Sequence, residues 1–92
     1  MEGVIASVQP GTDQARLTVD ADARDGAPPQ RVVVLVASDT EVTVRQGDGT
    51  SRAGRVADLA AGARILIRHT GMEMRSLPPQ YRATHVRVLG GG

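Results

Sequence analysis

The sequence predicts an all-β domain: a small, partly open barrel of five to six strands with one short helix before the penultimate strand. Three observations predict it. Apolar residues recur at every second position through most of the chain, which is the period of a half-buried strand. Val and Ala lead the apolar composition, and the β-branched side chain of Val, stiff at its first torsion, fits a pleated surface. Clusters of Gly, Pro, Asp and Ser punctuate the chain roughly every 8–12 residues.

The elements follow in order. "GVIASVQ" places Val4, Ala6 and Val8 on one face, with Ile5 and Ser7 on the other. "PGTD" is a turn, and "ARLTVD" alternates again with Leu17 and Val19 inward. Two such runs joined by a short turn make a hairpin. "DADARDGAPPQ" is a polar loop. "RVVVLVA" is apolar at every position from Val32 to Ala37, the pattern of a strand covered on both faces. "SDT" turns the chain into "EVTVR", where Val42 and Val44 share a face, and "QGDGTSRAG" is a further loop.

"RVADLAAG" breaks the alternation. Val56 and Leu59 are three apart and share a helical face, and Gly62 suits the left-handed position that ends a helix. One or two helical turns fit there. "ARILIRH" returns to alternation with Ile65 and Ile67, and "ATHVRVL" closes the chain with Val86 and Val88. Residues 1–89 form one domain, and the glycines at 90–92 predict a disordered tail.

Short strands at this spacing build a sandwich or a barrel. A helix between the middle and last strands points to a Greek-key barrel of the OB type. "RVVVLVA" and "EVTVR" are then one long bent strand or two neighbours. An SH3-like barrel is the rival, but it does not usually place a helix there.

The last hairpin can be worked out residue by residue. Directly opposite residues point the same way, and a slip of one residue turns every side chain over. Setting Ile67 opposite Val86 puts Ile65 opposite Val88 and His69 opposite Thr84, all on the core side. Arg68 then faces His85, Leu66 faces Arg87, and Arg64 faces Leu89 on the outer side. The two histidines fall on opposite faces, so they cannot share one metal ion. No metal and no cofactor is expected.

The loop 71–83 joins these strands. Pro fixes its own backbone torsion and restricts the residue before it, so "LPP" is a short rod. Tyr81 can lay its ring across a barrel end, and Met72 and Met74 are flexible apolar fillers for the same end. Met72, Met74, Ser76, Pro78, Gln80 and Tyr81 thus form a candidate loop whose role is structural or binding.

Composition narrows the function. There is no Cys, Phe or Trp, and Tyr81 is the one aromatic. No stretch of about 18 apolar residues exists to cross a membrane as a helix. All eleven basic residues are Arg, and the net charge is +1. The charge is uneven: residues 1–44 carry three Arg and seven acids, residues 45–92 eight Arg and three acids. Arg45, Arg52, Arg55, Arg64, Arg68 and Arg87 make a candidate basic surface for an anionic partner. "DADARDG" lacks the spacing of a calcium loop, since Asp20, Asp22 and Asp25 are out of step and the twelfth position is Arg31. "RQGDGTSRAG" lacks the lysine and spacing of a phosphate loop. Ser7, Ser38, Ser51 and Ser76 have no His–acid pairing in sequence, so catalysis is not expected.

The chain resembles small bacterial OB-fold domains of unknown function, found in uncharacterised secreted proteins and lipoproteins. The resemblance rests on "GVI" at the start, "DLAAG" before the penultimate strand, "TG" after it, and an S-x-P-x-Q-x-x-A pattern met by Ser76, Pro78, Gln80 and Ala83. Pro79 occupies a variable slot of that pattern. The resemblance implies the OB fold and an extracytoplasmic setting reached after removal of a leader; no such leader opens this sequence, and without one the setting is cytoplasmic. It implies no reaction. Ser76 and Gln80 would be its motif residues, in a turn-stabilising role.

The leading expectation is therefore a non-catalytic OB-type binding or interaction module whose partner is a protein or an oligomeric ligand. The alternative is a single-stranded nucleic-acid-binding domain using its Arg-rich second half, although such grooves usually stack bases on aromatic side chains. A structural accessory domain of a larger assembly is the third reading.

Overall fold

A computed structural model describes residues 1–11, 14–23, 28–74 and 79–91, with the backbone alone described at 70–74 and 91. Seven strands and one 3-10 turn follow in order: β1 (Glu2–Pro10), β2 (Ala15–Ala21), β3 (Gln30–Val36), β4 (Glu41–Arg45), β5 (Ser51–Ala53), the 3-10 turn Val56–Asp58, β6 (Ala63–Met74) and β7 (Gln80–Gly91). The strands lie in the order β3-β2-β1-β6-β7-β4-β5, and an additional β3–β7 pairing closes the first five into a barrel. β4 and β5 extend the sheet beyond β7.

β7 organises the closure. Its first residues run parallel to β3, with Val34 beside Tyr81. Its later residues run parallel to β4, with Val42 beside Val86 and Val44 beside Val88. β3 and β4 are thus separate strands laid end to end along one edge of β7, with no pairing between them.

The change of partner falls at a bulge. Tyr81 and Ala83 are buried before it, Val86 and Val88 after it, so the inward parity shifts by one residue. Thr40 ties the β3–β4 turn to this point. Its hydroxyl accepts from the Ala37 N–H at 2.9 Å and donates to the Ala83 carbonyl at 2.8 Å.

The core is aliphatic, as a sequence without Phe or Trp requires. Leu17, Val19, Val32, Val34, Val36, Ile65, Ile67 and Val86 are all but fully buried. They line one interior together with Ile5, Val42, Leu59 and Val88. Val33 is buried on the other side of β3, outside that cluster, and Leu35 beside it is half-buried. β3 is therefore fully covered on its inner face and partly covered on its outer one.

The β6–β7 register is the expected one through the barrel: Ile67 opposes Val86, Ile65 opposes Val88, Arg68 opposes His85 and Leu66 opposes Arg87. Bulges displace both ends. His69 meets Ala83 rather than Thr84, and Arg64 meets Gly90 rather than Leu89.

Several expectations need correction. In β1 the core residue is Ile5, at 1% exposed, while Ala6 is exposed and Val4 half-buried. An irregularity between Ile5 and Ser7 in the β1–β2 ladder switches the face along the strand, so Val8 packs against the core from the far side of the bulge. The expected helix is a single 3-10 turn. Leu59 leaves it with an extended backbone (φ −92°, ψ 118°), and Gly62, at φ 91°, turns the chain into β6. The loop expected at 46–54 contains β5, whose three exposed residues carry no apolar signal. The loop at 71–83 is shorter than expected, since β6 runs to Met74 and β7 starts at Gln80. Gly90 and Gly91 belong to β7, opposite Arg64 and Ala63; Gly92 lies outside the described residues.

Candidate binding groove

Alternation puts every second residue of β6, β7 and β4 on the outside of the barrel. Leu66 and Arg68 from β6, His85 and Arg87 from β7, and Glu41 and Thr43 from β4 come together there, with Val86 at the floor, around a groove of about 240 Å³. Hydrogen-bonded register fixes the arrangement. One row reads Arg68, His85, Glu41 across the three strands, and the next reads Leu66, Arg87, Thr43.

His85 is held from both sides. Its Nε2 lies 3.0 Å from the Glu41 carboxylate, and its Nδ1 lies 3.1 Å from the Thr84 hydroxyl. That hydroxyl lies 3.3 Å from the Arg68 carbonyl. Nε2–H donates to Glu41, and Nδ1 and the Thr84 hydroxyl share a hydrogen bond whose direction is set by the imidazole tautomer. This chain spans the bulge and fixes the orientation of the imidazole in the groove.

Leu66 is 39% exposed, the one large hydrophobic side chain so exposed among the described residues. Arg68 and Arg87 sit diagonally across the β6–β7 ladder on either side of the Leu66 and His85 positions. Among the described residues neither Arg68 nor Arg87 forms an ion pair, and neither does Arg45.

The six expected basic residues do not form one patch. Arg68 and Arg87 share the groove, and Arg45 continues the outward face of β4. Arg64 is engaged elsewhere, reaching Glu2 at 3.0 Å and Asp22 at 2.7 Å; the hydrogen bonds it donates to these two acids raise its affinity for its proton, Asp22 contributing most. Arg52 is paired with Asp58 at 3.1 Å. The Arg52 guanidinium and the Arg55 backbone N–H together hold the Asp58 carboxyl below its ordinary value. Arg55 itself is exposed beside the 3-10 turn.

The expected loop is divided. Tyr81 is 7% exposed and belongs to the core, its ring 4.6 Å from that of half-buried His69. Gln80 is half-buried and paired with Val33. Ser76 and Pro78, and the Asp25 of the acidic loop, lie outside the described residues, as do the side chains of Met72 and Met74. His69 and His85 stand apart, one against the core and one outside, as the register predicts. Among the described residues no three His, Asp or Glu side chains converge as a metal site would require.

A second hollow, about 590 Å³, lies at the β1–β2 hairpin end between Gln9, Pro10, Gly11, Gln14, Arg16 and Leu35. It is open and lined mostly by exposed side chains.

Sequence reasoning missed Glu41 and Thr43 as groove residues. β4 was legible, but its parallel seat beside β7 was not, and only that seat brings them next to His85 and Arg87. Comparison with family models, with curated proteins and with solved structures finds no match to this chain.

Proposed function

We propose that the chain is a non-catalytic binding module of the OB type, and that the outer groove of β6, β7 and β4 receives an anionic ligand. The strand order, β1-β2-β3-β7-β6 and back to β1, with a parallel β3–β7 closure, supports the OB arrangement. The resemblance of the short motifs to OB domains of secreted proteins and lipoproteins supports the same architecture and adds an extracytoplasmic setting.

The observation that carries the ligand class is the placement of Arg68 and Arg87. Two guanidinium groups without acid partners flank an exposed leucine on a rigid three-stranded surface. Among the other described arginines, Arg31, Arg52, Arg64 and Arg82 pair with acids, whereas Arg16, Arg45 and Arg55 form no ion pair; only Arg68 and Arg87 combine that freedom with a place in the groove. A planar guanidinium presents a fixed fork of donors that matches carboxylate or phosphate oxygens.

Amide shifts in a labelled sample, titrated at low salt with a panel of small carboxylates and phosphates, test the reading. The expected shifts cluster at residues 41–43, 66–68 and 85–87. A panel that moves no amide, or moves only the outer face of β2 and β3, overturns it.

A further inference from the structure

We infer that the groove takes an acidic, aliphatic peptide segment of a partner protein; the inference rests on the binding-module reading above. Charge is the first argument. Arg68 and Arg87 are diagonal neighbours on adjacent strands, which places their guanidinium groups within reach of one or two carboxylates.

Apolar contact is the second. Leu66 stands directly opposite Arg87 and two residues from Arg68, and it is 39% exposed. A ligand that carries an aliphatic side chain beside its acid covers this leucine. A sugar–phosphate backbone has nothing to offer it.

Glu41 is the third. Its carboxylate lies in the same groove, 3.0 Å from His85. A continuous polyanion would meet this charge wherever it crossed the row. A peptide places its acids singly, and its own N–H groups can donate to Glu41.

The fourth argument is the lack of a stacking platform. Proteins that hold single strands stack bases on aromatic side chains; no Phe, Tyr or Trp lines this groove, and its one ring, the His85 imidazole, is held at both nitrogens by Glu41 and Thr84. Tyr81, the chain's one aromatic, is buried in the core. The groove also has the scale of a short peptide. Three strands span about 10 Å, which an extended segment of about three residues crosses at roughly 3.3 Å per residue.

The test is an amide-shift titration of the whole chain at low salt with four probes. They are a capped hexapeptide of alternating Asp and Val, its counterpart with Asn in place of Asp, a hexathymidylate, and inorganic phosphate. The expected result is that the Asp–Val peptide shifts residues 41–43, 66–68 and 85–87 more strongly than any other probe. The combined Arg68→Gln and Arg87→Gln variant should then weaken that binding about tenfold or more, and Leu66→Ser about threefold, with thermal melts unchanged because all three side chains are exposed. The inference fails, and the binding-module reading survives, if thymidylate or phosphate moves the groove amides more than the Asp–Val peptide does, or if the Asn peptide binds equally well. Both fail if no probe moves those amides, or if every shift falls on the outer face of β2 and β3. A double variant that binds the Asp–Val peptide as tightly as the parent also overturns the inference.

Discussion

The hydroxyl of Thr40 donates to the carbonyl of Ala83 at 2.8 Å, across 43 residues of sequence, at the point where β7 leaves β3 for β4. The same oxygen accepts the Ala37 N–H, so one side chain satisfies two backbone groups at the closure. Thr40→Val keeps the shape and removes both bonds. It should cost about 1–3 kcal/mol, the penalty of leaving partly buried polar groups unpaired. Each kcal/mol lowers the melting temperature of a domain this size by about 4–8 °C. Thr40→Ser should retain most of the stability. A valine variant that melts with the parent would remove Thr40 from the closure.

Gly3 sits where β1 crowds β2. A Cβ there would lie 2.5 Å from the Asp20 carbonyl oxygen and 2.9 Å from the Ala21 Cα. Backbone cannot yield as a flexible side chain can, so Gly3→Ala should destabilise the fold by about 1–3 kcal/mol or more. Gly47→Ala is the control, since no atom lies within 4 Å of its added Cβ; its urea midpoint should match the parent's within about 0.5 kcal/mol. Equal midpoints for the two variants would contradict the tight β1–β2 contact.

Ile65 and Leu66 are neighbours in sequence on opposite faces. Ile65 is fully buried and Leu66 is not. Ile65→Ala should cost about 2–5 kcal/mol through lost burial and the cavity left behind, a large share of the roughly 5–14 kcal/mol a chain of this length commands. Leu66→Ala should stay within about 0.5 kcal/mol. Denaturant unfolding of both variants reads the difference, and a reversed order would invalidate the inside–outside assignment of β6.

Acid should weaken the fold in a defined way. The Arg52 guanidinium, together with the Arg55 N–H, holds the Asp58 carboxyl below its ordinary value. Arg31 does the same for Asp20, and Thr50 for Asp48. A carboxyl lowered in the folded state contributes its full stability above its unfolded pKa, about 3.9, and loses it as pH falls through the folded value. Urea midpoints should therefore decline as pH drops below about 5. The decline should be shallower for Asp58→Asn. Parallel pH curves for parent and variant would show that Asp58 is not among the groups responsible.

The strands and their final register were legible because alternation is a local signal and antiparallel pairing propagates it. Ile65, Ile67, Val86 and Val88 meet inside a closed barrel, as the period of two requires. The bulges near Ile5 and at His69 and Ala83 were not legible. One inserted residue reverses the faces beyond it while leaving composition unchanged. The short strand β5 was hidden for another reason: an edge strand of exposed residues buries nothing, so it has no pattern to read. The groove was half legible. Arg68, Arg87, Leu66 and His85 follow from the hairpin, whereas Glu41 and Thr43 depend on a parallel contact between segments some 40 residues apart.

Because β7 is bonded to β6, β3 and β4, and follows all three in the chain, nothing made before it can close the ring. A nascent chain emerging from the ribosome carries its valine-rich edges uncovered until β7 arrives. Premature termination anywhere ahead of Gln80 would therefore yield not a looser barrel but an open, adhesive sheet, the kind of product that chaperones and proteases exist to remove.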